Sequence, residues 1–438
     1  MKSSTTPWSL QHIPEMNWRA LLMSVLVLSS VSILFIVRSS NPFSVVELLH
    51  HGLGPSTPTS LANTSSVHSN TSAAPHKEDK EEECDLFVGK WVAEPRGSSL
   101  YSNWSCPTIP DQNNCGKFGK GSEHLYWKWK PDRCELPRLD PVAFLRMVRR
   151  KKMAFAGDSV ARNHMDSLLC LLHQAETPTN IYKDGDDKFQ TWYFPSHNFT
   201  LMVIWAEFLV ERAQTQRMIN GVATNSYDLY LDRVNPDLAR ELPALRYVVI
   251  SAGNWFIKKL YLHENGSLVG CVNCRGENLT ELDAAYAYRR VFRTVLQSIS
   301  KCEQCDDDLL TMLRTFSPTH FEHGSWFNGG YCNRTQPMSE GEIDLSGNTI
   351  EYRNIQFEEM GRIKGGSGGG RGDAKRGFEL LDVTKAMMAR ADGHPGSHWR
   401  WMQKSNSDCL HWCLPGPIDM WNDALFANVK KHSSTTQL

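Results

Sequence analysis

Apolar residues fall into two kinds of block along this chain, one long and several short. The long block, ALLMSVLVLSSVSILFIV at residues 20–37, carries no charge and is bounded by Arg19 and Arg38. Its length is near the minimum for a membrane span, and no small-residue cleavage site follows, so it is read as a signal anchor. The short blocks each run into a polar cluster. They are KKMAFA (151–156) before GDS, RYVVI (246–250) before SAGNW, DLLTMLRTF (308–316) before SPTHFEHGSW, and FELLDVT (378–384) before a helix-like stretch. Such runs predict strands buried on both faces, and helical spacing such as that of ARNHMDSLLCLLHQ (161–174) predicts helices between them. Together they predict an α/β fold with a central, mostly parallel, doubly wound sheet.

Residues 39–83 are rich in Ser, Thr, Pro and His and end in HKEDKEEE, which predicts a flexible stem. KGGSGGGRGDAKRG at 364–377 is expected to be a flexible surface insertion, its Arg-Gly-Asp triplet incidental. The chain thus divides into a cytosolic tail (1–19), an anchor (20–37), a stem (38–83), a cysteine-rich segment (84–137) and a catalytic domain (138–438).

The chemistry is concentrated in two motifs. GDSVARNH at 157–164 puts Ser159 between a predicted strand and a predicted helix, with Gly157 at the turn, the arrangement of a nucleophile elbow although the sequence is not GxSxG. A serine hydroxyl becomes a useful nucleophile when an imidazole takes its proton and a carboxylate holds that imidazole. DCLHWC at 408–413 supplies both, as Asp408 and His411. The simpler reading is that Asp158 or Ser159 only caps the helix. DGHP offers a competing base in His394 beside Asp392, but the i, i+3 spacing of Asp408 and His411 better suits a local carboxylate–imidazole contact. His164 is expected on the helix, in a structural or acceptor-facing role. Gly253 and Asn254 of SAGNW would share the sheet rim with GDS, which makes them candidate oxyanion donors beside the Ser159 N–H. Arg162 and Asn163 could position donor or acceptor, or simply pack.

Composition narrows the setting. A net charge of −1 gives no electrostatic footprint for nucleic acid and suits a neutral partner. All twelve cysteines and the seven N-x-S/T sequons, at Asn63, Asn70, Asn103, Asn198, Asn265, Asn278 and Asn333, follow the anchor. Both features belong to an oxidising lumen and predict a type II membrane protein. In that compartment the pairs Cys271/Cys274 and Cys302/Cys305 read as disulfides before zinc ligands. Cys84, Cys106, Cys115 and Cys134 predict a stapled module, and Cys170, Cys332, Cys409 and Cys413 are further disulfide candidates. Cys409 and Cys413 would pin the Asp408/His411 loop; the pairing itself is left open by the sequence. No metal site is expected. Of fourteen tryptophans, Trp127, Trp129, Trp255, Trp326 and Trp412 adjoin motifs and could face a sugar ring.

CDLFVGKWV (84–92), WKWKPDRCELPRLDP (127–141), GDSVARNH, TFSPTHFEHGSWFNGGYC (315–332) and DCLHWCLPGPIDMWN (408–422) resemble, in this order, the plant trichome-birefringence-like family of polysaccharide O-acetyltransferases. The resemblance runs from Cys84 to about Ala427. It implies an SGNH/GDSL-like catalytic domain, a Golgi membrane location, and a triad falling on Ser159, Asp408 and His411. YSNWSCPTIPDQNNC (101–115) and GDSVARNHMDSLLCLL look most like the xyloglucan-acting subgroup, with mannan-acting members close by. The implied reaction needs an acetyl donor, acetyl-CoA or another acetylated carrier, and no tightly bound cofactor. Its implied partners are a neutral wall polysaccharide, the Golgi membrane and other wall-synthesis proteins. A polysaccharide acetylesterase and a non-catalytic wall-polysaccharide-binding protein remain the alternatives.

Overall fold

The computed structural model describes residues 84–97, 99–219, 222–366, 376–399 and 406–436. The expected anchor and stem, the sequons at Asn63 and Asn70, and most of the 364–377 insertion lie outside the described residues. Among the described residues no helix is long and apolar enough to cross a membrane. The strands are β1 (Gly89–Ala93), β2 (Trp127–Pro131), β3 (Lys152–Gly157), β4 (Thr179–Lys183), β5 (Gln190–Phe194), β6 (Phe199–Trp205), β7 (Val210–Ile219), β8 (Val222–Val234), β9 (Tyr247–Ser251), β10 (Leu260–Glu264), β11 (Ser267–Val272), β12 (Leu310–Arg314) and β13 (Gly377–Leu381). The α-helices are α1 (Pro141–Met147), α2 (Ser159–His173), α3 (Pro236–Glu241), α4 (Ala284–Ser300), α5 (Asn348–Gly366), α6 (Thr384–Met388) and α7 (Asp419–Thr436).

The central sheet has the order β13-β12-β9-β3-β6-β5-β4. Its first five strands are parallel, and β5 and β4 add an antiparallel edge. The four short apolar runs became β3, β9, β12 and β13, and the reason is visible in alternate residues. Met153 and Phe155 of β3 and Val249 of β9 pack on one face with Leu168 and Leu169 of α2 and Trp421 of α7. Ala154, Ala156, Val248 and Ile250 pack on the other, against Tyr288, Val291 and Phe292 of α4 and Ile355 of α5. A strand covered on both faces has no polar side to alternate with, so its sequence reads as continuous apolar residues.

Two features exceed the doubly wound expectation. Strands β7, β8, β10 and β11 form a second, four-stranded sheet of order β11-β10-β8-β7, and β1 pairs with β2 as a separate ribbon. The expected insertion is narrower than 364–377: Lys364–Gly366 close α5, Arg376 donates to the carbonyls of Ser300 and Cys305, and Gly377 opens β13.

Six disulfides join Cys84–Cys134, Cys106–Cys170, Cys115–Cys413, Cys271–Cys274, Cys302–Cys305 and Cys332–Cys409. Both CxxC pairs are therefore disulfides, their sulfurs spent on each other. Asn198, Asn265, Asn278 and Asn333 are exposed and Asn103 is partly so, leaving these sequons accessible.

Candidate active site

Ser159 owes its position to the junction of β3 and α2. The Asp158 carboxylate caps the helix, accepting from the Val160 N–H at 3.0 Å, so the capping reading and the nucleophile reading hold for adjacent residues. Gly157 is required by close approach: a Cβ there would stand 1.7 Å from the Ser251 carbonyl oxygen on β9. With the strands this near, GDS and SAGNW share one rim, Gly157 in register with Ser251.

His411 and Asp408 arrive from a segment that is neither helix nor strand. The Asp408 carboxylate accepts from the backbone N–H groups of Leu410 (3.1 Å) and His411 (2.9 Å), folding the loop into a tight turn. Its other oxygen meets His411 Nδ1 at 2.8 Å, and His411 Nε2 meets Ser159 Oγ at 2.7 Å. The carboxylate fixes the proton on Nδ1, leaving Nε2 free to accept from the serine. Burial disfavours charge on both partners, but attraction wins. Asp408 is held below the usual carboxylate range by His411 and the two backbone donors, and His411 is raised above its ordinary value by Asp408.

The loop carrying this pair is held from several sides. Cys413 is bonded to Cys115 and Cys409 to Cys332. The Asn163 side chain, on α2 one turn after the serine, accepts from the Trp412 N–H at 2.7 Å and donates to its carbonyl at 3.2 Å. Asn113 donates to the same carbonyl at 3.1 Å, and its own carbonyl accepts from the Leu414 N–H.

A cleft of about 220 Å³ opens at Ser159 and His411. Its walls include Arg162, Asn163, Gln112, Asn113, Trp205 and the Asp186–Lys188 turn. Trp205 ends β6 opposite Gly157 and meets Trp255 edge to face at 6.2 Å. Arg162 reaches the Asp187 carbonyl and carboxylate, the latter at 2.9 Å, tying the β4–β5 turn to the nucleophile's helix.

These placements revise several expectations. Asn163 is buried and spent on Trp412, whereas Arg162 is tied to Asp187 through its terminal nitrogens and still lines the cleft, its Nε without a hydrogen bond. Gly253 and Asn254 sit on the shared rim but do not line the cleft, and the Asn254 N–H points to the Asp158 carboxylate at 3.4 Å. The Ser159 N–H, in the first helical turn, has no intrahelical partner. His164 is fully buried between Phe155 and Trp421. His394 sits behind the loop, meeting the His411 carbonyl through Nδ1. Trp412 is a core residue, whose indole donates to Ser317, and Trp129 donates to Leu86. Sequence reasoning missed Trp205, Gln112, Asn113 and the Asp186–Lys188 turn. Of these, only Trp205 carried a signal, as the last residue of an apolar strand.

Serine, imidazole and carboxylate in line at the carboxyl edge of a parallel sheet have the geometry of a serine-esterase-type acyl-transfer site. Comparison with known proteins agrees. Residues 136–428 match the GDSL/SGNH-like acyl-esterase family found in Pmr5 and Cas1p, and residues 82–135 match the PMR5 N-terminal domain. Xyloglucan O-acetyltransferase 3 of Populus trichocarpa is 48% identical over 86% of this chain and 92% of its own length. Xyloglucan O-acetyltransferase 2 of Arabidopsis thaliana is 47% identical over 80% of this chain and 83% of its own. Protein trichome birefringence-like 25 of Arabidopsis thaliana is 40% identical over 85% and 82%. The chain belongs to the trichome-birefringence-like family, within the GDSL/SGNH-like acyl-esterases.

Proposed function

We propose that this chain is a polysaccharide O-acetyltransferase whose acceptor is xyloglucan. The observation that carries the acyl-transfer reading is the pair of contacts at His411, 2.7 Å to Ser159 and 2.8 Å to Asp408. The names of its relatives support the acceptor. In this reading His411 takes the Ser159 proton as the serine oxygen attacks the carbonyl of an acetyl donor. The Ser159 N–H faces the developing oxyanion, with Gly253 and Asn254 as its rim neighbours. Collapse expels the donor's leaving group, which takes the proton from His411, and leaves acetyl-Ser159. A sugar hydroxyl then gives its proton to His411, attacks the acetyl carbon and regenerates the serine. Asp408 stabilises the imidazolium in both halves.

Transfer instead of hydrolysis requires the sugar to be in place before water. Trp205 offers an apolar face beside Ser159, and the Asp186–Lys188 turn offers polar groups at the sugar edge. The reading also assigns the protein to the Golgi lumen, with residues 20–37 as anchor; six disulfides among the described residues suit that oxidising compartment.

The test incubates the protein with an acetyl donor and xyloglucan, mannan, xylan or pectin oligosaccharides, locating new acetyl groups by mass spectrometry and NMR. Acetylated xyloglucan is expected, with loss on the order of 10⁶-fold in Ser159→Ala. Acetylation of mannan alone would move the acceptor, and acetate release without any acetylated sugar would make the protein an esterase.

A further inference from the structure

Behind the catalytic loop, His320 and His394 form a chain of three contacts that two neutral rings cannot satisfy. His394 Nδ1 lies 2.7 Å from the His411 carbonyl oxygen, and His320 Nε2 lies 3.0 Å from the Met388 carbonyl oxygen. Carbonyls only accept, so each of these nitrogens must carry a proton. The remaining nitrogens, His320 Nδ1 and His394 Nε2, face each other at 2.7 Å. A neutral imidazole has one N–H, already used in both rings, so this contact would set lone pair against lone pair. Three short contacts need three protons.

We propose that His320 and His394 hold three N–H protons between them, one shared along the Nδ1···Nε2 contact, and that this singly charged pair positions His411. The proposal rests on His411 being the base for Ser159.

The pair grips the loop at both ends of its turn. The His320 backbone N–H donates to the Cys409 carbonyl at 3.0 Å, and His394 holds the His411 carbonyl two residues on. The His394 ring also stacks on Trp412 at 4.1 Å, the residue clasped by Asn163. Burial works against charge and draws each ring below its ordinary value. Against it stand the Asp408, Asp392 and Glu322 carboxylates, Asp392 being itself paired with Arg390, while Lys120 and Arg334 act in the opposite sense. Sharing one proton spreads the charge over two rings and gives every nitrogen a partner.

The sign of the pH effect follows. His411 must be neutral to accept the serine proton, so activity rises with pH through its raised value. The pair must keep its third proton, so its support is present at lower pH and is lost as pH rises through the pair's own value. Burial alone would release that proton below the value of His411, so the short Nδ1···Nε2 contact must hold it to higher pH than His411 holds its own. A bell then results, with the descending limb belonging to residues that never touch substrate.

The decisive measurement is histidine NMR on the full-length, ¹⁵N-histidine-labelled protein across mildly acidic to mildly alkaline pH. A doubly protonated ring coupled to a neighbouring ring by a strongly downfield N–H is expected, retained in Ser159→Ala and absent in His320→Gln. Two neutral rings at mildly acidic pH would overturn the proposal, whatever the enzyme acts on. In parallel, kcat with a nitrophenyl acetate donor is expected to fall about tenfold in His320→Leu with KM unchanged, the rate equivalent of one hydrogen bond. His320→Gln, which supplies a donor that does not titrate, should restore most of that rate and flatten the alkaline limb. An alkaline limb unchanged in His320→Gln would also overturn it. Failure of Ser159→Ala to lose activity would instead remove the acyl-transfer reading while leaving the NMR result standing.

Discussion

Ser159 and His411 meet in one hydrogen bond, yet they reach it on different kinds of scaffold. Ser159 stands where a strand buried on both faces enters a capped 15-residue helix, so regular backbone and core packing fix it. His411 stands on a loop without helix or strand, fixed by two disulfides, the Asn163 clasp and the histidine pair. The nucleophile is therefore tied to the stability of the whole sheet, whereas the base depends on a few discrete ties. Damage to one half should appear as unfolding, and damage to the other as inactivity in a folded protein.

The sharpest way to break that contrast is Gly157→Ala. The added methyl meets the Ser251 carbonyl, which belongs to β9 and cannot move without shifting the sheet, so a loss of about 3 kcal/mol or more in stability is expected. Thermal unfolding followed by circular dichroism measures it, and a folded, active Gly157→Ala protein would contradict the account of this junction. The next effect is smaller and of the other kind. Removing the tie between the cysteine-rich segment and the base loop with Cys115→Ser and Cys413→Ser together should leave a cooperatively folded sheet and lower kcat on the order of 10²-fold, as expected when a base moves by an ångström. Loss of the folded sheet in step with activity would erase the distinction. The mildest is Asn163→Ala, which strips the buried Trp412 N–H of its acceptor. About a tenfold drop in kcat is expected, with KM and secondary structure kept.

The same contrast explains what could be read from the chain alone. Ser159 was legible because its signals are local: an apolar run, a glycine and helical spacing within a few residues. Asp408 and His411 were legible for a similar reason, since three residues bring carboxylate and imidazole together whatever surrounds them. The central strands were legible because burial on both faces leaves unbroken apolar runs. The ties that hold the base were not. Cys115 lies 298 residues from Cys413, and nothing in either neighbourhood names the other. His320 and His394 come from separate loops, and their relation exists only as a distance. The β7–β8 and β10–β11 sheet was missed because its strands lie in polar, mixed sequence where neither period dominates. Asn163 was weighed evenly between substrate and packing, and packing prevailed because Trp412 offers both a donor and an acceptor at the right place.

The order of the cysteines carries a consequence for how the molecule is made. Cys84, Cys106, Cys115 and Cys134 leave the ribosome first, and within that group only Cys84 and Cys134 belong together. The two thiols enclosed between them must stay unpaired, one until Cys170 emerges and the other until Cys413 does, 298 residues after its partner. Oxidation in order of appearance would join the wrong sulfurs. A pair trapped in that order is corrected by thiol–disulfide exchange, and the tie that seats the catalytic base must wait for Cys413 in any case.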